Sequence, residues 1–357
     1  MQVVVANTNF ETVAVVDEFE SLLWVDRYNK AGDFELYLSA HSPALNYLKQ
    51  DYYCFLTESE YVMIIEGIEI RTDAENGDRA IVTGRSLESI LDSRIIWKQT
   101  NIKNATLQNG IKKLVNENII SPEHSVRRIS NFIFESTEDS YITSEKFTAQ
   151  YTGDNLYTVV SEICESSGIG FKVTLNDSNQ FVFKLYRGIN RTYDQSIYPY
   201  VIFSPHFDNI LNSDYLESNK PLKNVTLVLG EGEGNARKRK TVYTLESNPN
   251  GLIRRELFTD ARDISSETED GKLEDDEYED LLVQRGKEKL AENTATKTFD
   301  GEVESTILFK YDRDFFMGDI IQIENEFGIS GTARIVEFIR SQDKDGIKMY
   351  PTFEAIE

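Results

Sequence analysis

A chain of 357 residues with 61 acidic and 38 basic side chains carries a formal charge of −23, so its surface repels polyanions and anionic lipid rather than gripping them. A hydrophobic content of 40 %, with 20 Phe and 18 Tyr, is that of a folded protein with strand-built cores, and the length predicts two or three domains. The opening residues lack a basic start and a small-residue cleavage pattern, and no run reaches bilayer-spanning length; the expectation is a soluble chain made in the cytoplasm, without a membrane partner.

Residues 1–97 read as strands: QVVVAN, ETVAVVDE, SLLWVDRYN, GDFELYLS, YYCFLTESEYVMIIEGIEIRT and RAIVTG. Alternation is plain at Phe34, Leu36 and Leu38, and again at Ile64, Gly67, Ile68 and Ile70 around a small break. Asn76-Gly77 is a tight-hairpin signal, because both turn residues tolerate positive φ. RSLESILDSRII then turns helical, with Leu87, Ile90 and Leu91 on one side. The first domain, residues 1–100, is therefore expected to be a β-rich barrel or sandwich closed by a short helix.

Residues 101–190 form an α+β insert. One helix carries Leu107, Ile111, Leu114 and Val115 on a single face, with Asn104 as its expected cap, and a second carries Leu156, Val159, Val160 and Ile163 and stops at Gly168. Two strands follow, joined by a turn at 176–179. Residues 191–357 return to strands, interrupted by an acidic stretch that becomes a helix at about 274–292. Only Leu281, Leu282 and Leu290 of that helix read as core contacts, which predicts a peripheral position. Cys54 and Cys164 read as buried free thiols.

Segments 51–82 and 314–350 share an order of features: an acidic-aromatic opening, an apolar strand, a polar turn, a strand containing Ile-Glu or Val-Glu, an Asp/Gly turn and a closing strand. The likeness is either that of two generic meanders or the trace of a duplicated β domain.

The stretch LVLGEGEGNARKRKTVYTL, 227–245, places Gly230, Gly232 and Gly234 at alternate positions before Arg237, Lys238, Arg239 and Lys240. The third glycine comes one place too early for a dinucleotide fingerprint, and the Gly-Lys-Ser/Thr ending of a phosphate loop is missing. The residues after Gly234 end in strand-like alternation, so the stretch reads as strand, turn, strand. In a hairpin the four basic residues alternate faces, two against two; this tip either docks on an acidic neighbouring subunit or is solvated.

Other chemistry finds little support. Gly271 and Glu277 match two places of a calcium loop, but Ser266 and Thr268 stand where carboxylates or Asn are needed. His41, His124 and His206 have no ligand or acidic partner at motif spacing. Trp24 and Trp97 are candidate sugar contacts, yet both sit in apolar contexts and read as core. No catalytic, cofactor-binding or metal residue is assigned, and no cofactor is expected.

Four phrases together, WVDRYNKAGDFELYL (24–38), IEGIEIRTDAENGDRAIVTGRSLESILDSRII (65–96), NVTLVLGEGEGNARKRKTVY (224–243) and YDRDFFMGDIIQIENEFGISGTARIVEFIRSQDKDG (311–346), resemble the baseplate hub or tail-tip proteins of tailed phages and prophages. The resemblance, like that to the front of tail-associated lysins, spans nearly the whole chain. It implies a β-rich α+β protein with two tail-tube-like β-barrel domains, the α+β insert and the outer acidic helix. It also implies a non-enzymatic virion structural protein, assembled in the host cytoplasm as a homotrimer that rings the DNA channel beneath the tail tube. Its partners would be further copies of itself, the tail tube or distal tail protein, and receptor-binding or tip proteins. DNA would pass during ejection without specific binding. The alternatives are a tail-associated cell-wall hydrolase and a carbohydrate-binding tail-tip module.

Overall fold

The alternating apolar residues of the N-terminal third pair into an antiparallel sheet with one buried face. The computed structural model describes every residue except 73–76, 269–270, 303–307, 329 and 357, and side chains except also at 211–214, 297–302 and 355. Contacts group the chain into two units: Met1–Ser89 with Phe171–Tyr215 and Thr298–Glu357, and Ile90–Gly170 with Leu216–Lys297. This grouping cuts the chain elsewhere than the contiguous division 1–100, 101–190 and 191–357.

The first unit holds two β lobes. Strands β1 (Val3–Ala6), β2 (Thr12–Val16), β3 (Ser21–Arg27), β4 (Asp33–Ser39), β5 (Tyr53–Leu56), β6 (Val62–Arg71) and β7 (Arg79–Ser86) lie in the order 3-4-7-6-5-1-2, with antiparallel neighbours. Trp24, Phe34, Leu36, Leu38, Cys54, Met63 and Ile65 fill its core. The expected alternation in β4 is met. In β6 the expected stripe is not the core: a bulge between Ile65 and Gly67 shifts the register, Met63 and Ile65 point inward, and Ile68 and Ile70 are exposed. The Asn76-Gly77 turn lies partly outside the described residues. The short helix after β7 is a 3₁₀ turn, Leu87–Ser93, burying Leu87 and Leu91.

In the second lobe Ile202–Phe203 runs parallel to Ile320–Glu324, which pairs antiparallel with the long strand Ser330–Asp343 and through it with Gly346–Ile356. Phe203, Phe315, Ile321, Ile335, Phe338 and Phe353 form its core, with Tyr28. The segments 51–82 and 314–350 thus build the same three-strand meander. Each bulges in its middle strand, at Ile65/Gly67 and at Ile335/Glu337.

One edge of the long strand serves both lobes. Residues 330–334 pair with Ile320–Glu324, and beyond the bulge residues 337–342 pair with β3. The two lobes therefore share one 13-stranded sheet, whose main path runs from Leu211–Ser218 to β2 while Ile320–Glu324 and Ile202–Phe203 branch from the long strand, and no barrel closes among the described residues. The two expected barrels are therefore not seen as closed among the described residues, where the edge of β3 away from β4 is paired with the long strand. At this junction Arg340 donates to Asp26, both buried. Trp24 Nε1 and Ser59 Oγ donate to the same carboxylate at 3.1 Å, and the guanidinium lies 4.7 Å over Phe338 and 5.5 Å over Tyr311. Burial pushes the Asp26 carboxyl up, against the pull of Arg340.

The Phe-Met-Gly-Asp motif has a local cause as well. Gly318 holds φ +86°, and a Cβ there would strike the Tyr28 ring at 2.2 Å. Asp319 accepts from the Ile189 and Phe316 amides at 2.7 and 3.0 Å and from Arg191 Nε at 2.5 Å.

The second unit contains the helices Leu107–Val115 and Leu156–Ser166, whose buried faces are those expected. The first is capped by Thr106, whose Oγ1 accepts from the Asn109 amide at 3.3 Å; Asn104 lies in the preceding strand. A three-stranded sheet places Val225–Leu229 between Arg239–Tyr243, antiparallel, and Glu256–Asp260, parallel. The acidic helix, Asp275–Ala291, packs against this sheet and against Lys146–Tyr151 and Leu156–Ser166, which corrects its expected outer position. Besides Leu281, Leu282 and Leu290 it buries Tyr278, Gly286 and Glu288. A Cβ at Gly286 would meet Val242 at 2.7 Å, so the missing side chain lets helix and sheet approach. Glu288 accepts from Tyr151 Oη at 2.7 Å and from Gln284 at 3.0 Å, which accounts for its burial. Both cysteines are buried and free, and burial raises their thiol pKa.

Candidate functional site

The glycine-rich stretch is a hairpin. Val225–Leu229 and Arg239–Tyr243 pair with Leu229 opposite Arg239, and the tip carries a single 3₁₀ turn at Gly234–Ala236. The three glycines serve different needs. A Cβ on Gly230 would lie 2.3 Å from Tyr278 Oη, which accepts from the Glu231 amide at 2.9 Å and donates to the Ile264 carbonyl at 3.1 Å. Gly232 and Gly234 take φ of +105° and +51°.

The four basic residues have four fates. Arg237, with a side chain 12 % exposed, folds back beneath the tip; Nε donates to the Gly230 carbonyl at 2.9 Å, and Nη2 donates to the Leu229 carbonyl and to Asp260 at 2.7 Å. Asp260 is pulled down to about 2 by hydrogen bonds from Arg262 and then Arg237. Lys238 reaches Asp275 at 2.7 Å, and Lys240 reaches Glu279, both on the first turns of the acidic helix. Arg239 points the other way, exposed, with the Asn235 carbonyl as its contact at 3.0 Å. On the Arg239 face Leu227, Tyr243 and Phe258 are exposed. The expected alternation holds for Lys238 and Lys240 against Arg239, while Arg237 is part of the fold.

The remaining candidates separate. Residues 269–270 of the calcium-like stretch lie outside the described residues, and Glu277 accepts from the Glu274 amide at 3.3 Å as a helix cap. Among the described residues no group of three or more His, Cys, Asp or Glu is placed to hold a metal, and no helix is long and apolar enough to cross a membrane. Exposed His41 lies 3.7 Å from Asp78, and His206 sits in the turn Pro205–Phe207. Buried Glu88 is pushed up to about 7 by burial; one oxygen accepts from the Val173 amide at 2.7 Å and the other has no partner. Trp24 is buried in the first core. Trp97 is 52 % exposed, which corrects its expected core position. Sequence reasoning missed this surface, and the basic cluster HSVRR, 124–128, in so acidic a chain is the signal that could have found it.

With these elements placed, comparison with solved structures gives the class. The chain has the fold of prophage tail proteins. It matches one from Listeria monocytogenes EGD-e, gp18 (TM-score 0.55, 14 % identity, 99 % of this chain and 94 % of that one). It also matches the tail protein of Neisseria meningitidis MC58 (0.56, 14 %, 99 % and 96 %). A third match is the 43 kDa tail protein of prophage MuSo2 from Shewanella oneidensis (0.57, 12 %, 99 % and 98 %). No curated protein matches at a significant level. The chain belongs to the Siphovirus ReqiPepy6 Gp37-like protein family, matched over residues 2–353. By family and fold it is a phage tail-type structural protein, as the resemblance in its sequence implied.

Proposed function

We propose that the protein is the baseplate hub or tail-tip subunit of a siphovirus-type tail or prophage, working without catalysis. In this reading it assembles as a homotrimer around the DNA channel, joins the tail tube or distal tail protein to receptor-binding or tip proteins, and is built into the virion after synthesis in the host cytoplasm. The observation that carries it is the pair of β lobes: two bulged meanders of the same order, each with its own core, fused edge to edge through β3 and the long strand. We take the duplicated parts as 1–100 and 191–357, with 101–190 inserted. Three chains with two like lobes each present six like positions around one axis. The charge of −23 favours passage of DNA without adhesion.

Size-exclusion chromatography with light scattering should give the mass of three chains, and a low-resolution image should show a ring. A protein that stays monomeric at high concentration, or packs without a central opening, overturns the reading. Incubation with purified peptidoglycan should release no soluble fragments. For the hairpin, Arg239 with Leu227 and Phe258 is the part we assign to subunit docking. Arg239→Glu should leave the monomer folded and weaken assembly; an unchanged oligomer mass removes that assignment.

A further inference from the structure

A patch on the second unit combines the residue types that anchor protein contacts with charges that no carboxylate among the described residues neutralises. Ile95, Trp97 and Val126 are 43 %, 52 % and 92 % exposed around an open cavity of about 580 Å³. Arg94, His124 and Arg127 complete its wall. The Arg127 guanidinium lies 4.9 Å over the Trp97 ring, and His124 meets that ring nearly perpendicular at 5.7 Å.

The hydrogen bonds of the two arginines go to neutral acceptors. Arg127 donates to the Ile95 carbonyl at 2.7 Å and to Asn118 Oδ1 at 3.4 Å; Arg94 Nη1 donates to the carbonyl and hydroxyl of Ser93, both at 3.0 Å. Arg94 Nε is buried without an acceptor. Among the described residues neither arginine has a carboxylate partner, in a chain with 61 Asp and Glu, whereas Arg237, Lys238 and Lys240 of the hairpin each have one. Burial and the neighbouring Arg94 charge hold Arg127 below its ordinary pKa.

We propose that this cavity docks an acidic peptide segment of a partner protein, with a carboxylate held by Arg94 and Arg127 and an apolar side chain seated against Trp97 and Val126. An anionic group relieves the repulsion between the two guanidiniums. Trp and Arg are the residue types that dominate protein-binding energy. Sugar hydroxyls donate as well as accept, and this wall offers no carboxylate to receive them. The inference stands independently of the hub role.

The test is fluorescence polarisation on the full chain with a short labelled peptide of Asp, Glu and Leu, beside an Asn/Gln/Leu peptide of equal length and the anionic polysaccharide polygalacturonate. The acidic peptide should bind, and the neutral one should not. Arg94→Gln with Arg127→Gln should weaken binding by about tenfold or more. Val126→Glu, at a side chain 92 % exposed, should do the same with an unchanged circular dichroism spectrum. Absence of peptide binding, equal binding of the neutral peptide, or unchanged affinity in V126E overturns the proposal. Binding of polygalacturonate but not of the peptide also overturns it, since the cavity would then be a sugar site.

Discussion

Removing Arg340 tests whether the two β lobes are locked together by charge as well as by the backbone ladder. Arg340 and Asp26 have side chains only 2 % and 1 % exposed, so Arg340→Met leaves a carboxylate in the core with Trp24 Nε1 and Ser59 Oγ as its remaining donors. Breaking a buried pair from one side costs about 3–5 kcal/mol, and lost stacking over Phe338 and Tyr311 adds about 1 kcal/mol. The double variant Asp26→Asn/Arg340→Met removes the stranded charge and should recover more than half of that loss. In the single variant the Asp26 carboxyl is raised further, so its folded form holds a proton that the unfolded form releases. The destabilisation should then grow as pH rises above about 4 and shrink in acid. Guanidinium unfolding followed by Trp24 fluorescence in a Trp97→Phe background reports on this lobe, because Trp24 is fully buried and donates to Asp26 itself. A loss below about 1 kcal/mol, or a double variant no more stable than the sum of the single ones, refutes the reasoning.

Glu88 gives a pH signature. Its pKa of about 7 against an ordinary 4.5 means that stability falls as pH rises from about 4.5 to about 7 and is flat above. Glu88→Gln should reduce that slope, to which Glu162 and Asp312, raised by burial to about 7 and about 6, also contribute, and should stabilise the protein at pH 8 by up to about 3 kcal/mol, read from denaturation midpoints at several pH values. Gly230→Ala, driven against Tyr278 Oη at 2.3 Å, should cost about 1–3 kcal/mol, whereas Gly234→Ala, with open space around its Cβ, should cost about 1 kcal/mol through its positive φ alone. Arg237→Ala should destabilise the second unit by about 1–2 kcal/mol by leaving the Gly230 carbonyl without its Arg237 donor and the Leu229 carbonyl with the Ala261 amide alone, while Arg239→Ala should change its melting by less than about 0.5 kcal/mol.

What could be read from the sequence was local periodicity. Phe34, Leu36 and Leu38 line one buried face with a period of two, and Leu156, Val159, Val160 and Ile163 one buried helical face, because each segment has a single apolar side. Where the period breaks, the reading slipped. In β6 the core takes Met63 and Ile65, before the bulge, while Ile68 and Ile70 beyond it are exposed, and Glu288 counted as polar surface although Tyr151 and Gln284 satisfy it in the core. The hairpin was legible as strand, turn and strand. The fates of its basic residues were not, since Asp260, Asp275 and Glu279 come from segments whose placement no spacing reveals. Trp97 sat beside apolar residues in the text but beside Arg127 and His124 in space.

The same limit hid the sheet's continuity, and that continuity bears on assembly. A charged residue inside an apolar strand, such as Asp26 or Arg340, is costly unless a partner is fixed opposite it. Two such residues 314 apart in the chain therefore mark where distant strands must meet, and they lie on β3 and on the long strand. Once that edge is filled, the sheet keeps terminal strands at β2, Leu211–Ser218 and Ile202–Phe203, and it does not close on itself among the described residues. Terminal strands present hydrogen-bonding groups that must be covered, blunted or used. Val15 on β2 is 53 % exposed, with none of the charge that usually guards such an edge. Such an edge leaves backbone donors and acceptors that a closed barrel would have paired within itself.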